Sequence, residues 1–83
     1  MKIEEIWGIP YSRACEFFES QDILQRIGEG RYESAGTFVL LEELEQKQMG
    51  SLRFPQTRVI ISGDKTAEEV YRSFYYRFLS AGG

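Results

Sequence analysis

The sequence predicts a small α+β domain with an N-terminal helix, an antiparallel sheet of two or three strands and a C-terminal helix, in the order α-β-β-β-α. Three observations carry that expectation. Val59, Ile60 and Ile61 are consecutive β-branched residues, stiff at χ1 and suited to a pleated surface, and Gly63-Asp64 follows them as a turn signal. Thr66 to Glu69 has the capping-box form, in which the threonine hydroxyl takes a backbone N–H three residues on and the glutamate reaches back, so a helix is expected to start at Ala67. The 83 residues, 1–83, are expected to form one domain with a small core, able to bury roughly 60–65% of the surface of the unfolded chain.

Residues 1–9 place Ile3, Ile6, Trp7 and Ile9 among Lys2, Glu4 and Glu5, a spacing that fits a helical turn and a short edge segment equally well. Gly8 and Pro10 close it, since proline biases the preceding residue away from the α region. A helix is expected over Tyr11–Ile27, with Gly28 as its left-handed cap and Ala14, Phe17, Leu24 and Ile27 along one side. Ser20-Gln21-Asp22 marks a kink or restart within it, and Cys15 reads as a small hydrophobe on that helix.

Gly28-Glu29-Gly30 reads as a loop, Arg31 to Ser34 as a short strand and Ala35-Gly36 as a tight turn. Leu40–Met49 is rich in strong helix formers, yet Thr37–Leu41 is too β-prone to join a helix comfortably, which favours a hairpin folded at Met49-Gly50. That fold pairs Phe38 with Ile61, Leu40 with Val59 and Gln46 with Arg53, and sets Leu41 opposite Arg58 and Val39 opposite Ile60. Phe38, Leu40, Leu44, Val59 and Ile61 then share one face, and Glu42, Glu43 and Glu45 lie near Arg53 and Arg58. Pro55 cannot donate to a ladder, so the strand is at an edge or bulged there. In the last helix Val70, Tyr71, Phe74, Tyr75, Phe78 and Leu79 fall on one half and Glu69, Arg72, Ser73, Arg77 and Ser80 on the other, with Tyr76 among the polar residues.

Composition excludes several chemistries. The chain has no histidine, which removes the commonest general base and the commonest metal ligand together. Its single cysteine allows no intrachain disulfide, and no apolar run reaches signal-peptide or membrane-spanning length, so a reducing cytoplasm is expected. A net charge of −3, with six acidic against three basic side chains in residues 1–30, disfavours nucleic acid as a partner. Ser62 to Thr66 resembles the end of a phosphate-binding loop, but Asp64 interrupts the glycine-lysine-threonine run with a negative charge.

Two further resemblances bear on function. The α-β-β-β-α order is similar to double-stranded-RNA-binding domains, which carry a lysine cluster at the start of the last helix, where this chain has Asp64, Glu68 and Glu69. Gly82-Gly83 resembles the diglycine tail of ubiquitin-like modifiers and sulfur-carrier proteins, in which the tail follows a strand of a β-grasp domain. The residues themselves point to a small, non-enzymatic, cytoplasmic interaction or regulatory protein acting on a protein partner or on a second copy of the chain. Its surface is expected at Arg72, Tyr75, Tyr76, Arg77 and Leu79 of the last helix, with Trp7 as a second anchor. No metal, cofactor, membrane or small-molecule substrate is expected. The competing readings are a carrier using Gly82-Gly83 and a nucleic-acid-binding domain using Arg53, Arg58, Arg72 and Arg77.

Overall fold

The computed structural model describes residues 1–82, with side chains described for residues 1–79. Its elements are β1 (Lys2–Trp7), α1 (Tyr11–Glu19), β2 (Gln25–Gly28), β3 (Arg31–Ser34), β4 (Thr37–Met49), β5 (Leu52–Gly63) and α2 (Lys65–Gly82). The α+β class is as expected. The sheet, however, has five antiparallel strands in the order β1-β5-β4-β3-β2, so the chain runs β-α-β-β-β-β-α and not α-β-β-β-α.

Both additional strands are edge strands. β1 pairs with β5, Ile3 opposite Ile61 and Trp7 opposite Thr57, which settles Lys2–Trp7 as an edge strand. Helix α1 stops at Glu19 instead of running to Ile27. Ser20 ends it, its hydroxyl donating to the Phe17 carbonyl at 2.6 Å, and the chain turns so that Gln25–Gly28 pairs with β3. The short helix directs Ala14, Phe17 and Phe18 inward, while Cys15 is half-buried and packs against the core.

The β4–β5 hairpin forms, but its register differs by one residue from the expected one. Val39 lies opposite Ile61, Leu40 opposite Ile60 and Leu41 opposite Val59. Because side chains alternate with period two, that single step exchanges the faces of β4: Val39 and Leu41 are buried with Val59 and Ile61, while Phe38, Leu40 and Ile60 point to the opposite side. The two-residue loop is Gly50-Ser51, with φ +62° at Gly50 and no positive φ at Ser51, the type II′ arrangement that suits strand twist. The irregularity expected at Pro55 is present as a bulge in the facing strand, between Leu44 and Lys47. Arg58 meets Glu42, Nη1 to Oε1 at 3.1 Å, and its Nε lies 3.7 Å from Glu4 Oε2.

Helix α2 starts at Lys65, two residues before the expected position, because Asp64 and not Thr66 is the cap: its Oδ1 accepts the Thr66 N–H at 2.9 Å. Both helices lie on the face carrying Val39, Leu41, Val59 and Ile61. Phe74 is at the centre, with ring centroids 5.0 Å from Trp7, 5.6 Å from Phe17, 5.3 Å from Phe18 and 5.0 Å from Phe78. Edge-on and offset contacts of this kind add to the area each ring buries. The other face of the sheet carries no element among the described residues.

Candidate interaction surface

Along α2 the core takes Ala67, Val70, Phe74 and Phe78. The inward arc is narrower than the sequence suggested, since Tyr75 and Leu79 are 37% and 48% exposed. The helix packs on a sheet face already occupied in part by α1, and that leaves room for only one stripe of its side chains. The remaining arc forms a ridge of Arg72, Tyr75, Tyr76 and Leu79, with Tyr76 at 66% exposure.

Trp7 joins this ridge from β1. Its ring meets Tyr75 edge-on at 5.8 Å, Tyr75 meets Tyr71 at 6.1 Å and Tyr76 at 6.0 Å, so four aromatic rings run in sequence from sheet edge to helix surface. Beside them, Met1, Glu68, Tyr71, Arg72, Tyr75 and Tyr76 line a shallow groove of about 390 Å³. One carboxylate oxygen holds the base of the cluster: Glu5 Oε1 accepts from Tyr71 OH at 2.8 Å and from Trp7 Nε1 at 3.1 Å. Both polar handles are thereby satisfied, and the two half-buried rings seat the ridge on the core.

The structure thus brings Trp7, Arg72, Tyr75, Tyr76 and Leu79 together. Arg77 is exposed but stands apart, about 100° around the helix from Tyr76 at ~100° per residue. Tyr71, Glu5 and Glu68 were not singled out by the sequence. Glu5 in particular left no signal, because β1 places isoleucine on both faces, Ile3 inward and Ile6 outward, and hides its own alternation.

The part-buried hydroxyl of Tyr71 is pushed up from 10.0 to about 12, first by desolvation and then by the hydrogen bond to Glu5 and the charge of its carboxylate. The fold therefore holds the neutral phenol. Its contribution to stability is complete below pH 10 and is lost as pH rises from 10 through about 12. Tyr11 is raised to about 12, chiefly by burial, and Tyr32 is raised as well, with its hydroxyl donating to Glu19 Oε2 at 2.9 Å. Alkaline unfolding is expected in this range, and Tyr71→Phe should reduce the loss without removing it. Phenolate absorbance read against unfolding would show this, and an unchanged profile in Tyr71→Phe would count against the Glu5 contact.

Among the described residues no group of three or more His, Cys, Asp or Glu side chains is placed to hold a metal ion, and no helix is long and apolar enough to cross a membrane. Of the diglycine pair, Gly82 is the last residue of α2, and Gly83 falls outside the described residues. In the carriers that the tail resembles, it follows a strand.

The fold is thus a small five-stranded antiparallel sheet with both helices on one face and an aromatic ridge along α2. The chain belongs to the archaeal MoaD-like protein family, whose family model matches residues 2–83. No curated protein matches it.

Proposed function

We propose that the chain is a small, non-enzymatic, cytoplasmic protein of carrier type that works by docking onto a protein partner through Trp7, Arg72, Tyr75, Tyr76 and Leu79. The observation that carries this reading is the aromatic ridge, whose base is fixed by Glu5 and whose outer members are exposed. Tyrosine and tryptophan supply large contact area at small entropic cost, and with arginine they dominate binding hot spots. Membership of the MoaD-like family supports a protein that acts by being recognised.

The test uses crosslinking of the wild-type chain in a cell extract, purification of what is captured, and affinity measured with the purified partner. Tyr76→Glu is expected to weaken binding at least tenfold, a loss of about 1.4 kcal/mol or more. Arg77→Ala, on the other flank, should leave it unchanged. Equal affinity of wild type and Tyr76→Glu would remove the ridge from the binding site.

A second reading is favoured by the family and by the sequence of the tail: Gly82-Gly83 is the reactive end that the docked partner modifies. It requires Gly82 to leave the helix, and a glycine costs a helix about 1 kcal/mol relative to alanine, so the requirement is modest. Adding one residue after Gly83 should then abolish carrier activity and leave docking intact. Retained activity in the extended chain would discard the tail and keep the ridge.

A further inference from the structure

The face of the sheet away from the helices has an order that the register makes explicit. In β5 the residues of even number point to this side, and their partners in β4 follow them through the bulge: Phe38 with Ser62, Leu40 with Ile60, Glu42 with Arg58, Leu44 with Gln56, Lys47 with Phe54 and Met49 with Leu52. Apolar side chains therefore gather at both ends of the face. Phe38, Leu40 and Ile60 lie at one end, and Phe54, Met49 and Leu52, 41%, 57% and 60% exposed, lie at the other. Between them lies the row of Glu42 and Arg58, to which β1 adds the exposed Ile6.

The far end is a two-stranded arm. β3 pairs with β4 only from Thr37 to Leu40, and β1 pairs with β5 only from Thr57 to Ser62, so among the described residues those beyond Leu44 and Gln56 have no strand neighbour but each other. An isolated hairpin is marginally stable in water, and three large apolar side chains on one of its faces call for cover.

We propose that this face is the interface of a two-fold dimer of the chain. A two-fold contact sets residue i against j and j against i. With the axis running across the strands between the Arg58 and Gln56 rows, Phe54 of one copy faces Ile60 of the other and Met49 faces Phe38. Each arm then covers the apolar end of its partner, in the aligned face-to-face packing that antiparallel sheets adopt about 10 Å apart.

Charge favours a second copy as the occupant. The chain carries −3, yet this face presents Lys2, Arg31, Lys47 and Arg58 against Glu4, Glu33 and Glu42, so the acidic surplus lies elsewhere and two such faces do not repel. Arg58, next to the axis, is already neutralised by Glu4 and Glu42 and enters the interface without becoming an unpaired charge. The face is also large enough: a stable interface takes about 800 Å² per partner, roughly one seventh of this chain's 5546 Å², on a body 44 Å long and 25 Å wide. Helix α2 lies on the opposite side, so the dimer does not cover the aromatic ridge.

Sedimentation equilibrium of the full chain over a range of concentrations tests this. The wild type is expected to be a dimer, Phe54→Glu and Leu52→Glu to weaken it at least a hundredfold, and Tyr76→Glu to leave it intact. Phe54 and Leu52 project from the exposed arm, and thermal melting would confirm that both variants remain folded. A wild-type monomer at all concentrations would overturn the proposal. So would a dimer that survives both arm substitutions, or one broken by Tyr76→Glu alone.

Discussion

Phe74→Ala is expected to cost about 3–5 kcal/mol, since removing a buried phenylalanine forfeits its transfer free energy and leaves a cavity that neighbours fill only in part. Phe74 has no exposed surface, and its ring touches those of Trp7, Phe17, Phe18 and Phe78, which come from β1, α1 and α2. A loss of that size is a large share of the roughly 5–15 kcal/mol available to a domain. Urea unfolding followed by Trp7 fluorescence would measure both the loss and the loosening of the tryptophan itself, because Trp7 rests edge-on against Phe74. Phe38→Ala supplies the contrast. Phe38 is 38% exposed on the outer face, and in dilute solution its truncation should cost about 1 kcal/mol. Had the hairpin adopted the register expected from sequence, Phe38 would be a core residue and the two costs would be similar.

Gly63→Ala is the second large effect. Gly63 has φ +142°, and a Cβ there would stand 2.0 Å from the Gly36 carbonyl oxygen and 2.9 Å from its carbon. The neighbour cannot yield, because the Gly36 carbonyl also accepts the Asp64 N–H at 2.9 Å, at the point where β5 passes into α2. Unfavourable backbone conformation costs about 1–3 kcal/mol by itself, and the clash with fixed backbone adds to it, so at least ~3 kcal/mol is expected. For a domain of this size that lowers Tm by roughly 12–24 °C. Gly50→Ala is the control, with φ +62° but nothing within 4 Å of the added carbon, and about 1 kcal/mol is expected. A scanning calorimetry experiment showing equal losses would mean that φ alone, and not the approach of Gly36, sets the cost at Gly63.

Both substitutions concern features of unequal legibility. Phe74 was readable as a core residue, because it recurs with Val70 and Phe78 at helical spacing, and a wholly apolar stripe of that kind has few other homes. The close approach of Gly36 to Gly63 was not readable, since it joins residues far apart in sequence. The ridge was legible in part. Tyr75, Tyr76, Arg72 and Leu79 follow from the helix, and Trp7 was singled out, but its place beside Tyr75 depends on β1 docking against β5. Arg77 belongs to the rim expected on the last helix, but helical geometry sets it on the other flank. β2 had no pattern to read: Gln25 and Arg26 are exposed, and the strand exists because β3 offers it an edge.

The sequence alone determined the α+β class, the hairpin through residues 37–63, the disturbance at Pro55, and the aromatic content of the last helix. Each of these rests on local chemistry: β-branched runs, turn glycines, a proline without a donor, a period of 3.6. The tertiary structure decided the number of strands, the end of the first helix and the register of β4 on β5. Edge strands gain their hydrogen bonds only from a partner, and a hairpin displaced by one residue differs locally by almost nothing while exchanging the side chains of β4 between core and surface against the same Val59 and Ile61. Only the packing of α1 and α2 on Val39, Leu41, Val59 and Ile61 distinguishes those two registers, and through that choice it left Phe38 and Leu40 facing outward.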